Sequence, residues 1–527
     1  MKNNYLTILL ILVSSFANSQ SSTVLNQNNV SANIQDEGFF FNNTANATAG
    51  FEVPAGNGTH LIYSSSFWMG GTDINGQLKL AAQRYIGSGQ DYWSGFLELG
   101  SGSPVANPFG QTIWQVTKAE IDNHILNSQT VGYVIPNDIL NWPVHGDSTL
   151  GTLPYIAPFV DVNNDGVYDP HGGDYPCIKG DEAVYTIMND RGNVHASGGD
   201  PISVELHYMF YQYSTVPGLE DVTFIDLEIV NMGTQTIFDF KTSYFLDADV
   251  GYGQDDYVGC DTTRNLIFAY NGDAVDESAG GQNGYGIPPA LGVVCLSHSM
   301  DYSSVFSNGA MAPQTDPSTA SEYYNVMQGN WTDGSDQLDG NGQSSDYMYY
   351  GDPNDLSAWS EMSEANIPGD RRMVMSTSLG VLGPLAYFNT GRRNLSYAVM
   401  HAQGTSNLNS VTELYQLADA VQSFYDGQNT VCFNAETASI SELEEVDFTV
   451  YPNPSNGTFT IDLPEVEGEV EIEIVDLSGR VIFSETYFNT DRIQIDLDES
   501  NGMYVLKTKI NPIGIGSHSS TKRLILD

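Results

Sequence analysis

The stretch Asp161-Val162-Asn163-Asn164-Asp165-Gly166-Val167-Tyr168-Asp169-Pro170 carries the sharpest chemistry in the chain. Oxygen-bearing side chains stand at alternate positions, with a glycine at the sixth, so a tight loop can wrap a hard cation. Ca²⁺ takes about 6–8 oxygens at roughly 2.3–2.6 Å. Asp161, Asn163 and Asp165 would supply side chains, Val167 a backbone carbonyl, and Asp169 a ligand directly or through water. Asp174, Asp181 or Glu182 would close the shell. The twelfth position is Gly172, so no bidentate glutamate is available there. The plainer use of the same residues is a metal-free loop of Asx turns. Ligand count and glycine placement favour calcium.

Two further acidic groups invite the same question. Asp247, Asp249, Asp255, Asp256 and Asp261 fall at a strand end and in the segment after it, and five carboxylates packed together would repel unless neutralised. Asp333, Asp336, Asp339 and Asn341 read more simply as a solvated loop. Catalytic patterns are missing: no H-E-x-x-H, G-x-S-x-G, phosphate loop or dinucleotide fingerprint is present. His145 and His171 each precede a glycine and are read as satisfied polar or surface groups before ligands. Trp93, Trp331, Tyr347, Tyr349, Tyr350 and Trp359 could stack on sugars, though anchoring of loops explains most of them. A pair of carboxylates suited to glycoside cleavage arises by chance in so acidic a chain and discriminates nothing.

The elements that must hold these loops are mostly strands. Residues 203–213 and 222–231 are rich in β-branched and aromatic residues, and Ile225, Leu227 and Ile229 alternate with Asp226, Glu228 and Val230. A turn at Met232-Gly233-Thr234-Gln235 leads to a second alternating run through Phe238, Phe240, Tyr244 and Leu246. Leu61 to Gly71, the turn at Asp73-Ile74-Asn75-Gly76, and Leu78 to Gln83 read as a hairpin. These hairpins predict antiparallel sheets packed face to face. Thr117-Lys118-Ala119-Glu120 is a capping box for a helix that would bury Ile121, Ile125 and Leu126. Ser410-Val411-Thr412-Glu413 reads as another, followed by Leu414, Leu417, Ala418, Val421 and Phe424 at helical spacing and a stop at Asp426-Gly427. Residues 301–355 read as loop.

With 65 acidic and 18 basic residues among 527, the net charge of −47 argues against nucleic acid and anionic membrane surfaces as partners. Lys2, the apolar run Leu6 to Val13, and Ala17-Asn18-Ser19 before Gln20 predict a signal peptide over residues 1–19. No other stretch is apolar enough to cross a membrane as a helix. In an oxidising compartment Cys177, Cys260, Cys295 and Cys432 would form two disulfides, in any of three pairings, with buried free thiols as the alternative.

The last eighty residues resemble a known module. Tyr451-Pro452-Asn453-Pro454-Ser455-Asn456-Gly457, Asp476-Leu477-Ser478-Gly479-Arg480, Gly502-Met503-Tyr504 and the final Lys522-Arg523-Leu524-Ile525-Leu526 stand in the order found in the type A C-terminal sorting domain of the Bacteroidota type IX secretion system. An insertion, Asn511 to Ser520, and a terminal Asp527 depart from the usual pattern. The resemblance implies a small β-sandwich that the outer-membrane machinery reads as an address. It also implies removal of the module when cargo is released or linked to surface lipopolysaccharide. The 161–170 loop resembles thrombospondin-type and dockerin-like calcium loops. In the body, Phe67-Trp68-Met69-Gly70-Gly71, Leu140-Asn141-Trp142-Pro143-Val144-His145-Gly146, Asp174-Tyr175-Pro176-Cys177, Asp255-Asp256-Tyr257-Val258-Gly259-Cys260-Asp261 and Pro368-Gly369-Asp370-Arg371-Arg372 resemble blocks of large secreted Bacteroidota proteins, a likeness that assigns no reaction. Asp147-Ser148-Thr149 and Asp261-Thr262-Thr263 resemble O-glycosylation acceptors of the same group.

The fold expected is therefore mainly β: an antiparallel β-sandwich body with a few helices over residues 22–434, a linker over 435–445, and a small sorting sandwich over 446–527. The function expected is that of a secreted or cell-surface protein, calcium-stabilised and non-enzymatic, serving in adhesion or glycan and matrix contact. A secreted hydrolase acting on polysaccharide or protein is the alternative.

Overall fold

Period-two alternation gives each strand one apolar face, and two such sheets bury those faces against each other. The computed structural model describes residues 22–428 and 448–526, apart from 45, 308–309, 387–388, 464–467, 477–479, 489, 491, 498 and 513–517. The expected leader 1–19, the linker 435–445 and Cys432 lie outside the described residues.

The body holds an eight-stranded and a nine-stranded sheet, both antiparallel. His60–Thr72, Ile237–Ala248 and Arg371–Leu382 form the centre of the first. Glu182–Asn189, Val204–Gln212, Val222–Asn231 and Arg392–Ala402 form that of the second. Between them lies one core. Ile225, Leu227 and Ile229 meet Phe67, Tyr244 and Leu246 across the sandwich, as the alternation predicts. Phe40 sits fully buried at its centre, edge-on to Phe210 and Tyr208 at 4.7 and 5.1 Å.

The outer faces are not left to solvent. Helix α1 (Lys118–Asn127), helix α2 (Asn137–Leu140) and the loops around Trp142 and Phe159 cover part of the second sheet, and helix α4 (Asn407–Asp426) covers another part. Helix α3 (Ala320–Val326) covers the first sheet, where Trp68 stacks on Phe245 at 5.2 Å and meets Tyr323 edge-on at 4.8 Å. This explains why Glu182–Asn189 and Val204–Gln212 are buried at every residue.

Several expectations need correction. The segment 301–355 is not all loop, because it contributes the strand Tyr302–Phe306 and α3, both organised by that tertiary aromatic packing. The turn after Asn231 does not close a hairpin. The Asn231 side chain donates to the carbonyls of Gln235 and Leu382, at 2.8 and 3.3 Å, and the chain crosses to the other sheet. In α1 the Thr117 capping box forms, and Ile121 and His124 are the buried pair. Ile125 and Leu126 point to solvent. Helix α4 begins a turn earlier than expected, capped by Ser406. Ser410 is buried inside it and donates to the Pro288 carbonyl at 2.8 Å; Leu414, Ala418 and Val421 are buried as predicted, Leu417 and Phe424 are half-buried, and Val411 is buried with them.

Two disulfides do not form. Cys260 and Cys295 are buried free thiols on Asp256–Asp261 and Ala290–Cys295, and Leu266–Asn271 runs between those strands. Burial pushes the Cys260 thiol up to about 12. Cys177 is not among the free thiols.

The C-terminal module is a small sandwich of a three-stranded and a four-stranded sheet. Phe459, Ile461, Ile472, Ile474, Leu506 and Leu524 fill it. Glu471 and Glu473 alternate outward, where Glu473 pairs with Lys507 at 2.7 Å on the neighbouring strand.

Candidate metal centres

The 161–174 loop is closed at its base by a two-residue ladder, in which Phe159 and Val160 pair with Pro176 and Tyr175. Asp161 organises it. One carboxylate oxygen accepts the Asn164 amide at 2.7 Å and the Asp165 amide at 3.3 Å, and the other accepts the Gly166 amide at 2.7 Å. Asn163 accepts the Asp165 amide at 2.9 Å, and Asp165 accepts that of Val167 at 2.8 Å. Left-handed backbone at Asn164 (φ 59°) and Gly166 (φ 77°) makes the reversal. Asp174 is buried, with its two oxygens taking the Val162 and Asp169 amides at 2.9 and 2.8 Å. Asp169 itself accepts the His171 amide at 3.0 Å.

The loop is held from outside by contacts that the sequence reading did not name. His124 Nε2 lies 3.1 Å from the Asp174 carbonyl, and the Tyr168 hydroxyl donates to the Ile139 carbonyl of α2 at 2.5 Å. His145 Nε2 accepts the Tyr168 amide at 2.9 Å, so this histidine orients the loop, and burial depresses its pKa. Nothing in the pattern of His124 or His145 announces these contacts, which depend on how α1 and α2 dock.

Asp161, Asn163, Asp165, Asp169 and Asp174, with the Val167 carbonyl, thus lie on one loop. Among the described residues, the three carboxylates whose oxygens converge to within 4.8 Å of one another are instead Asp247, Asp249 and Asp370. Antiparallel pairing brings them together. The end of Ile237–Ala248 lies beside the start of Arg371–Leu382, and Asp247 stands opposite Arg372. Arg372 reaches Asp247 at 3.3 Å, Asp370 at 3.0 Å and Asp316 at 3.5 Å, and Arg84 reaches Asp316 at 2.9 Å. Gln282 donates to Asp249 at 2.9 Å. Burial, helped by the Asp370 charge, raises Asp249 to about 7, and burial holds Asp247 well above the usual carboxylate range.

Of the five aspartates grouped by sequence, Asp247 and Asp249 meet. Asp256 is fully buried just behind them, with one oxygen taking the Val250 amide at 3.0 Å. Asp255 is raised to about 6 by burial, beside Asn271 and Asp276. Asp261 stands apart at the far end of its strand, where it caps the Thr263 amide at 2.8 Å and pairs with Arg264 at 2.6 Å. Asp370 and Asp316 were not grouped with them. Asp370 lies in the quoted Pro368–Arg372 block, but only the long-range strand pairing reveals its partners. Asp333 and Asp339 cap their own exposed turns, through the Ser335 and Gln343 amides at 2.9 Å each. Tyr349 and Trp359 pack together at 5.0 Å against the core.

No curated protein sequence matches the chain. Among solved structures, a β-glucuronidase from Parabacteroides merdae, with glycerol in its active site, is 8% identical over 52% of this chain and 35% of its own, at a TM-score of 0.16. Dimeric latent PorU from Porphyromonas gingivalis is 11% identical over 66% of this chain and 31% of its own, at a TM-score of 0.14. The chain therefore spans about a third of either structure, and similarity at this level carries no argument. Among the described residues, no helix is long and apolar enough to cross a membrane. Residues 449–527 match the family described as a secretion system C-terminal sorting domain, so the protein is type IX secretion cargo, exported to the cell surface or beyond it.

Proposed function

We propose that the body is a calcium-stabilised, non-catalytic surface protein that works by contact with glycan or matrix. The observation that carries this reading is a set of exposed apolar residues on α1, the segment after it and the 161–174 loop. Leu126 of α1, Val131 and Val134 after it, and Val162 and Val167 of the 161–174 loop are all exposed apolar side chains. Hydrogen bonds tie these pieces together, among them Gln129 to the His171 carbonyl at 2.9 Å and His124 to Asp174. Apolar side chains exposed on segments that hydrogen-bond to one another support a binding face here. Calcium in the loop would be held by Asp161, Asn163, Asp165, the Val167 carbonyl, Asp169 and Asp174, all hard oxygen donors. The sorting module engages the type IX machinery, and lipopolysaccharide is the anchor proposed for the mature form. A single bridge through Cys177 is proposed in place of two, supported by the burial of the free Cys260 and Cys295 thiols on separated strands. Non-reducing peptide mapping tests it.

Retention of the secreted protein on immobilised glycans and matrix proteins, with and without chelator, tests the main reading. Calcium-dependent retention without turnover is expected, and weaker retention for Val162→Ser with Val167→Ser. Release of product from polysaccharide or peptide substrates, abolished by Asp255→Asn, would replace this reading with the hydrolase.

A further inference from the structure

We propose that Asp247, Asp249 and Asp370, backed by Asp256, form a second divalent-cation site of the oxygen-ligated kind that takes calcium, separate from the 161–174 loop. Three carboxylates already present oxygens within 4.8 Å of one another, close enough to share one ion. Asp247 and Asp249 are only 2% and 9% exposed, so water does not screen their repulsion well. The surrounding charges do not balance. Five carboxylates, on Asp247, Asp249, Asp256, Asp316 and Asp370, stand with two guanidiniums, on Arg84 and Arg372, so acidic groups outnumber cations in the cluster. A buried uncompensated charge is expensive, whereas a metal ion satisfies it directly.

A second, independent observation points to a missing partner. Asp256 is fully buried, and one of its carboxylate oxygens has no hydrogen-bond partner. Native proteins rarely leave such an atom unsatisfied. Its other oxygen takes the amide of Val250, next to Asp249, and its carbonyl takes the amide of Gly369, next to Asp370, at 3.0 Å each. Asp256 is therefore hydrogen-bonded to the residues that follow Asp249 and precede Asp370. The backbone is shaped to the same end. The 249–255 segment curls so tightly over Asp249 that a Cβ at Gly253 would lie 2.1 Å from its carboxylate oxygen. An ion here would clamp the continuous stretch from the end of Ile237–Ala248 through residue 256 to the turn before Arg371–Leu382, two pieces distant in sequence. Magnesium, with its stricter octahedral shell and retained waters, suits a cluster of mostly buried carboxylates less well than calcium.

The test counts calcium on the full secreted chain, stripped with chelator and dialysed back. Asp370→Asn is expected to bind one calcium fewer per chain than the parent. Asp161→Asn with Asp165→Asn is expected to remove a different one, so the combined variant loses both. The loop reading fails if the Asp161/Asp165 variant keeps the parental count, and the present proposal fails if folded Asp370→Asn does. Melting gives a second readout. Without metal, Asp249→Asn should melt at or above the parent, since it relieves repulsion, and it should lose part of the calcium-induced rise. Should neither variant fold, calcium-soaked crystals of the parent decide. An anomalous peak between Asp247, Asp249 and Asp370 sustains the site, and empty density there, with carboxyls close enough to share protons, overturns it.

Discussion

Replacing Asp174 by alanine separates two roles that one residue combines. The carboxylate accepts the amides of Val162 and Asp169, and in the proposed calcium loop it also closes the ion's shell. Each abandoned buried donor costs about 1–3 kcal/mol. Val162 and Asp169 are exposed enough for water to reach their amides, so the lower part of that range applies, about 3 kcal/mol for the pair. Calcium adds a linkage term, about 2.7 kcal/mol at a hundredfold excess over Kd. Unfolding entropy of about 2.1 cal/mol/K per residue, over roughly 400 residues, gives a slope near 0.8 kcal/mol per degree. Asp174→Ala should therefore lower the body's Tm by about 3–4 °C in chelator and by about 7 °C in excess calcium. Asp174→Asn, which retains one acceptor oxygen, should fall between the parent and Asp174→Ala in chelator. Scanning calorimetry in the two buffers reads both differences. Equal losses with and without calcium would remove Asp174 from the metal shell. No loss in chelator would refute the hydrogen-bond argument itself.

Stability should also fall at both ends of the pH scale through one buried network. Burial opposes the charge on His207, but bonds to Glu205 at 2.8 Å and Glu228 at 3.4 Å outweigh it and raise His207 to about 9. That contribution, about 3 kcal/mol, is present below pH 6.5 and lost as pH rises through about 9. Burial likewise opposes the Glu228 charge, and Arg392 and His207 outweigh it, lowering Glu228 to about 2. Its contribution is present above pH 4.5 and lost as pH falls through about 2. Denaturant midpoints of His207→Gln should be less sensitive to pH between 6.5 and 9 than the parent's. Phe40→Ala should cost about 3–5 kcal/mol, read from the same midpoints, because Phe40 is fully buried between the sheets. Deleting residues 449–527 should strand the protein in the periplasm, by fractionation and immunoblot. Gly457→Val should weaken surface display as well, because φ is 118° there and a Cβ would lie 2.9 Å from the Leu497 carbonyl.

Period-two alternation at Ile225, Leu227 and Ile229, the hairpin turn at Asp73 to Gly76 and the Thr117 capping box are local features, and each is legible from neighbours within a few residues. The sorting module is legible for a similar reason, since its motifs lie within eighty residues and in fixed order. The Asx turns of the 161–167 loop belong to the same class, because each side chain bonds a backbone amide two to five positions on. What escaped the sequence depends on contacts made across the fold. Ile125 and Leu126 fit a helical stripe, yet α1 docks through Ile121 and His124, and periodicity cannot say which side of a short helix meets a sheet. The strand Tyr302–Phe306 and α3 arise where Trp68 and Phe245, far away in the chain, supply an apolar surface. Asp247 meets Asp370 instead of Asp261 because sheet register joins residues more than a hundred positions apart while separating two that share one short stretch. Spacing along a chain fixes what a residue can bond within a turn or two, but convergence of charges is a property of strand pairing, which only the folded sheet determines.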